Sequence, residues 1–193
     1  AIVLGDSHAS ALISAVVDAL PGRDQGVLSL TYSSCPTARD FQPSFNGSEK
    51  RCPEFNDWAW KKIQEFPIEI PLIIVNHGSL YFTTQSINLK SDSASKEDKE
   101  IFMTRPIPVM ETNAPRQLSH RLAIGIQGEI STSQAKYMEK NSITWATQDE
   151  ASARCGVKIL NTTKHLCNGL ICMGSAFGRP YYYDDNHLSE YGN

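Results

Sequence analysis

Gly5-Asp6-Ser7-His8 places a serine hydroxyl just after an apolar run, Ala1-Ile2-Val3-Leu4, and just before residues with helical apolar spacing. A serine is a weak nucleophile until a neighbouring base takes its proton. Near the other end of the chain, Asp184-Asp185-Asn186-His187 supplies a base of suitable form. An aspartate three residues before a histidine can fold back, accept a hydrogen bond from one ring nitrogen and fix the tautomer. The other ring nitrogen then faces the nucleophile as general base. Asp185 is the competing orienter, but an adjacent residue is poorly placed to reach back. Taken singly, each motif has a plain structural reading: Ser7 as a helix N-cap, His187 as an exposed histidine in a polar turn. Taken together they point to nucleophilic chemistry carried by Ser7, His187 and Asp184.

Such a serine needs a scaffold that holds it at the mouth of a crevice. Leu12, Val16 and Leu20 recur at intervals of four, which predicts a helix ended by Pro21-Gly22. Val27-Leu28-Ser29-Leu30 reads as a strand. A turn-rich loop spans Ser33 to Lys50. Phe55, Trp58, Ile63 and Phe66 fall near one helical face, which places Trp58 in the core. Leu72-Ile73-Ile74-Val75 is a continuous aliphatic run of the kind buried on both faces of a sheet. Pro106 to Met110 forms a short candidate strand, Ser131 to Arg154 is helix-like without a clean stripe, and Val157 to Leu160 is the last strand. Gln85 to Glu100 is polar and reads as a surface loop or one exposed helix. Alternating strands and helices predict an α/β fold with a parallel sheet. In such folds ligands bind outside the carboxyl ends of the strands, where Ser7 would sit. A helix N-terminus there favours developing negative charge.

The chain has 193 residues, 40% hydrophobic and 20% charged, which suits one domain with one substantial core. A net charge of −3 argues against a nucleic-acid partner. No apolar run approaches the ~20 residues of a membrane span. No Cys/His spacing matches a closed zinc site, Cys167 and Cys172 with His165 included, so neither metal nor cofactor is expected. His120 and His165 have no partner pattern. His8 lines a pocket or simply packs; His77 borders the site or is a solvated turn histidine. Strand-like residues begin at position 1 and the chain stops soon after His187, so residues 1–193 read as a single catalytic domain taken from a longer chain.

With these residues in view, the sequence resembles the SGNH/GDSL hydrolase-fold domains. More narrowly, it resembles the SGNH domains fused behind the acyltransferase-3 membrane domain of bacterial O-acetyltransferases. Leu4-Gly5-Asp6-Ser7-His8, Ser34-Cys35-Pro36, the Cys167 and Cys172 pair, and Tyr183-Asp184-Asp185-Asn186-His187-Leu188-Ser189 carry the match. Residues from about Thr83 to Arg154 carry none. The resemblance implies a three-layer α/β/α sandwich with a parallel sheet, with Ser7 as nucleophile, His187 as base and Asp184 as its orienter. It also implies an oxyanion hole of the Ser7 backbone N–H, a glycine N–H after the second strand and an asparagine side chain. Here that glycine is absent and Ser34 stands nearest its place. Asn76 follows the buried strand, although the usual Gly-x-Asn is missing because residue 74 is Ile. Asn76 reads equally as a turn residue at a strand end.

Cys35 and Cys52 flank one loop at the expected active-site end, and Cys167 and Cys172 flank another. We expect the pairs 35–52 and 167–172, with Cys155 as a buried odd thiol, and an oxidising compartment. The family places that compartment at the periplasmic or extracellular face of a bacterial membrane. The expected function is serine-dependent O-acyl transfer, with acetyl as the group, to a cell-surface carbohydrate. The acyl donor would be handed over by a fused acyltransferase-3 membrane domain. Trp60 or Tyr181 to Tyr183 would be available to stack on sugar rings. A carbohydrate or lipid O-acyl esterase with the same triad is the first alternative, and a non-catalytic glycan-binding domain the second.

Overall fold

The computed structural model describes residues 1–22, 24–38, 44–45, 48–49, 51–81 and 99–193. Five parallel strands form the central sheet: β1 (Ile2–Gly5), β2 (Leu28–Thr31), β3 (Leu72–Val75), β4 (Ile101–Thr104) and β5 (Lys158–Leu160). Their order across the sheet is β2-β1-β3-β4-β5. This is the doubly wound arrangement, in which the winding reverses between β1 and β3. The crevice at that reversal opens beyond Gly5 and Val75, which pair with each other in register.

Side chains of a strand alternate between faces, and both faces of β1 are covered. Ile2 and Leu4 pack with Leu30, Leu72, Ile74 and with Ala59 and Ile63 of α3 (Cys52–Gln64). Val3 points the other way, into a second core with Val75, Ala9, Leu12 and Leu118. Ala9 lies in α1 (Ser7–Ala11), and Leu12 joins it to α2 (Ile13–Asp18). The expected helix of residues 12–20 is present as α2, and the separate short segment α1 precedes it. Leu118 belongs to α5 (Ala114–Ala123), which follows the single turn α4 (Gly78–Tyr81). The two cores on opposite faces make the three layers. Every side chain of β1 is buried, which accounts for its apolar run.

Several sequence expectations change. The fourth strand is Ile101–Thr104, not Pro106 to Met110. Proline has no amide hydrogen for a ladder, so Pro106 and Pro108 end the strand rather than form it. Residues 131–154 divide into a short strand, Ser131–Ser133, and α6 (Gln134–Cys155). Ser133 caps the helix by accepting from the Lys136 amide, and Gly156 ends it in a left-handed conformation, φ 73°. Ser131–Ser133 pairs antiparallel with Ile171–Met173, just after α7 (Thr163–Leu166). Trp58 is not core: it is 53% exposed on α3, while Ile63 is buried. Cys155 is exposed rather than buried. Of the expected polar segment 85–100, residues 85–98 lie outside the described residues. Among the described residues, no helix is long and apolar enough to cross a membrane.

Candidate active site

The turn from β1 into α1 leaves almost no room. A Cβ on Gly5, which has φ 157°, would lie 1.8 Å from the Val75 carbonyl oxygen and 2.9 Å from the Ala9 Cβ. Only glycine lets the two strand ends close this tightly. Asp6 follows, fully buried. Its Oδ1 accepts from the His8 amide at 2.9 Å, so Asp6, not Ser7, is the N-cap of α1. Its Oδ2 accepts from the His77 amide at 2.8 Å, and the Tyr81 hydroxyl also bonds to it. Burial raises the Asp6 carboxyl above the ordinary value, against the opposing pull of the His77 and His8 amides. One buried carboxylate thus ties the end of β1 to the end of β3 and leaves the Ser7 hydroxyl free of capping.

The other arm is a tight turn near the chain end. Tyr182 and Leu188 bridge its two sides and both are buried. The carbonyls of Asp184 and Asp185 accept from the amides of Ala114 and Met110, at 2.9 and 2.7 Å. Inside the turn, Asp184 Oδ1 accepts from the amides of Asn186 and His187, both at 2.8 Å. Its Oδ2 meets His187 Nδ1 at 2.8 Å, and His187 Nε2 meets Ser7 Oγ at 2.7 Å. Burial raises the Asp184 carboxyl, but the two amides and the His187 ring outweigh it and hold the group below the ordinary carboxylate value. An ionised carboxylate only accepts, so Nδ1 carries the hydrogen and Nε2 is left to accept from the Ser7 hydroxyl. Asp185 instead accepts from the Asn186 side chain at 3.1 Å.

Ser34 follows β2 and Asn76 follows β3, the two strands on either side of β1. Ser34 has φ 65°, the left-handed conformation that suits glycine. Asn76 is turned to Thr37: its Oδ1 accepts from the Thr37 amide at 3.2 Å, and its Nδ2 donates to Thr37 Oγ1. An amide nitrogen has two hydrogens, so one remains for another acceptor. Beside Asn76 a cleft of about 160 Å3 opens between the ends of β3 and β4 and α6, with Thr37, Gly78, Thr144 and Gln148 on its walls.

Sequence reasoning left out three features here. Asp6 is the first. The second is a stack of rings: His8 and His77 lie 4.4 Å apart at 18°, and His8 lies 4.9 Å from His187 at 58°. Burial lowers both His8 and His77 to about 4, so both are neutral rings near neutral pH. The third is Asn186, whose Oδ1 meets His8 Nε2 at 3.1 Å. Adjacent histidines in the two arms were the available signal, but spacing alone could not say that they meet.

Disulfides join Cys35 to Cys52 and Cys167 to Cys172. The first ties the residue after Ser34 to the start of α3. Among the described residues no group of histidine, cysteine and acidic side chains is arranged to hold a metal.

A family model described as the SGNH domain (fused to AT3 domains) matches residues 1–193. Among solved structures, the chain is similar to the periplasmic domain of a lipopolysaccharide acetyltransferase of Salmonella ser. Paratyphi A. The TM-score is 0.66 at 18% identity, over 97% of this chain and 77% of that one. No curated protein matches the chain.

Proposed function

The chain belongs to the SGNH domain family found fused to AT3 domains, and from that premise we propose that it transfers O-acyl groups through an acyl-serine. The observation that carries the reading is the continuous relay from Asp184 through His187 to Ser7 Oγ, with bonds of 2.8 and 2.7 Å. Ser7 Oγ attacks the carbonyl carbon of the donor while His187 Nε2 takes its proton. Asp184 stabilises the imidazolium that results. The carbonyl oxygen becomes an oxyanion, met by the backbone N–H groups of Ser7 and Ser34 and the spare hydrogen of Asn76. Each such donor contributes roughly 2.7–4 kcal/mol. Collapse expels the donor's leaving group, which takes the proton from His187, and leaves the acyl group on Ser7. A hydroxyl of the acceptor then gives its proton to His187 and attacks the acyl carbon; the bond from the acyl carbon to Ser7 Oγ breaks, and His187 returns the proton to Oγ.

We propose acetyl as the group and a cell-surface carbohydrate as the acceptor, in line with the named activity of the structural neighbour. The donor side would be an AT3 partner domain in the same protein. Two disulfides support an oxidising compartment such as the periplasm. Tyr183, 61% exposed and one residue from Asp184, is the aromatic best placed to meet a sugar.

A fluorophosphonate probe tests the nucleophile. The expected result is one adduct on Ser7 by peptide mass spectrometry, with 4-nitrophenyl acetate hydrolysis lost in Ser7→Ala. Labelling elsewhere, or hydrolysis unchanged in Ser7→Ala, overturns the assignment. Incubation of the protein and its membrane partner with an acyl donor and polysaccharide separates transfer from hydrolysis. Free acetate with no acylated sugar would make it an esterase.

A further inference from the structure

Two hydrogen bonds among the described residues, not one, join the arms of the site. Ser7 bonds His187, and the next residue along, His8, bonds Asn186, the residue before His187. The direction of the second bond follows from its neighbours. Asp185 Oδ1 can only accept, so the Asn186 amide turns its Nδ2 to Asp185 and its Oδ1 to His8. His8 Nε2 must therefore carry the hydrogen. That leaves Nδ1 of His8 bare, and it is buried with no partner among the described residues; Nε2 of His77, stacked behind it, is likewise buried with no partner among them. An unsatisfied buried polar group costs about 1–3 kcal/mol, and such groups call for an explanation other than stability.

We propose that His8 is a positioning residue, whose Nε2–H donates to the Asn186 side-chain carbonyl and so makes a second rung that holds the His187 turn in register with Ser7. The inference rests on the acyl-serine reading above. Asp184 orients the imidazole within its own turn, but a single bond between Ser7 and His187 leaves that turn free to pivot against α1. Two bonds from adjacent residues of α1 to adjacent residues of the turn remove that freedom, and misplacement of about 1 Å can cost ~10²-fold in rate. The ring stays neutral because it is buried and faces His187, and Asn186, Asp184 and Asp185 only partly oppose that. His77 closes the other face of the ring. A neutral His8 adds no second positive charge beside His187 when the latter takes the serine proton.

A double-mutant cycle on 4-nitrophenyl acetate hydrolysis by the 193-residue chain tests this. His8→Ala and Asn186→Ala are each expected to lower kcat by about 10–100-fold, with KM within twofold. The double variant should lose no more than either single one. His8→Gln, whose side-chain N–H can reach the same carbonyl, should recover most of the kcat. The apparent pKa on the acid limb of kcat should shift in both alanine variants and return in His8→Gln. Additive losses, kcat within twofold of the parent in Asn186→Ala, or no rescue by His8→Gln in a variant that unfolds at the parental midpoint, would each overturn the proposal. Ser7→Ala run alongside separates the failures. Retained hydrolysis there overturns the nucleophile reading and this proposal together, whereas loss there with unaffected Asn186→Ala overturns this one alone.

Discussion

The two arms of the site are held by different means. Residues 5–8 leave a fully buried strand between two others, where Gly5 touches the β3 backbone and Asp6 binds the amides of His8 and His77. Residues 182–188 belong to no long strand or helix. Their place is fixed by a bridge between Tyr182 and Leu188, by two carbonyls that accept from Met110 and Ala114, and by Asp184 folded onto its own turn. The nucleophile is thus positioned by the whole sheet, and the base by local hydrogen bonds. A change in the first arm should disturb folding and activity together, whereas a change in the second should separate them.

Asp184→Asn and Gly5→Ala test that contrast with the largest effects. An asparagine can donate to Nδ1 and favour the wrong tautomer, so kcat should fall by about 10⁴-fold. The two backbone amides keep an oxygen to bond, so the thermal midpoint should move little. Gly5→Ala should act on the fold first, because its Cβ would meet the Val75 carbonyl oxygen at 1.8 Å. Overpacking costs typically 1–3 kcal/mol, and a clash with backbone belongs at or above the top of that range. At roughly 2–4 °C per kcal/mol for a chain of this size, the midpoint should drop by about 6–12 °C. A Gly5→Ala variant as stable as the parent, or an Asp184→Asn variant that unfolds early, would break the contrast.

The same contrast explains what could be read from sequence. The first arm was legible, because burial on both faces writes an unbroken apolar run and Gly-Asp-Ser follows it directly. The Asp184 to His187 spacing was legible because the fold-back is local, within one turn. Contacts between distant parts of the chain were not: His8 with Asn186, and Asp6 with the His77 amide, join residues 178 and 71 positions apart. Ile101–Thr104 was missed in favour of Pro106 to Met110, since aliphatic residues between prolines imitate a strand that the missing amide hydrogens forbid. Trp58 was assigned to the core by helical spacing, but the covered stripe of α3 is Cys52, Asn56, Ala59 and Ile63. Asn56, whose side chain donates to the carbonyls of Pro36 and Ala38, is a polar member that apolar periodicity does not see.

The two disulfides lie outside both arms and close loops of different size. The Cys35–Cys52 pair lies 17 residues apart and the Cys167–Cys172 pair 5 apart. In the chain-entropy account the first contributes about 3 kcal/mol and the second about 2 kcal/mol. Replacing Cys35 and Cys52 by serine should therefore lower the thermal midpoint more than replacing Cys167 and Cys172. The smaller staple sits on a segment, Ile171–Met173, that pairs with Ser131–Ser133 rather than with the central sheet. Equal drops, or the reverse order, would mean that native-state packing rather than loop length decides what each bridge contributes.

The gentlest test is pH, because the arms titrate in separate windows. His8, in the first arm, and His77, whose amide donates to Asp6 of that arm, are lowered from 6.5 to about 4 by burial. Between those values the unfolded chain binds more protons than the folded one, so stability should fall as pH falls from about 6.5 towards 4. Asp6 opposes this, since its raised carboxyl favours the folded state as it protonates. Asp184, in the second arm, is depressed: its contribution is present above 3.8 and is lost only as pH falls below that, through its folded value. Thermal denaturation across pH 7.5 to 3 should show two limbs. His77→Gln and His8→Gln should flatten the one between 6.5 and 4, and Asp184→Asn the one below 3.8. Near pH 6.5 the change should be smaller than the loss of either disulfide, since only about half of each unfolded histidine is then protonated. If Asp184→Asn flattens the upper limb, or the glutamine variants leave it unchanged, then the histidines are not held neutral by the fold, and the first arm is not the rigid one.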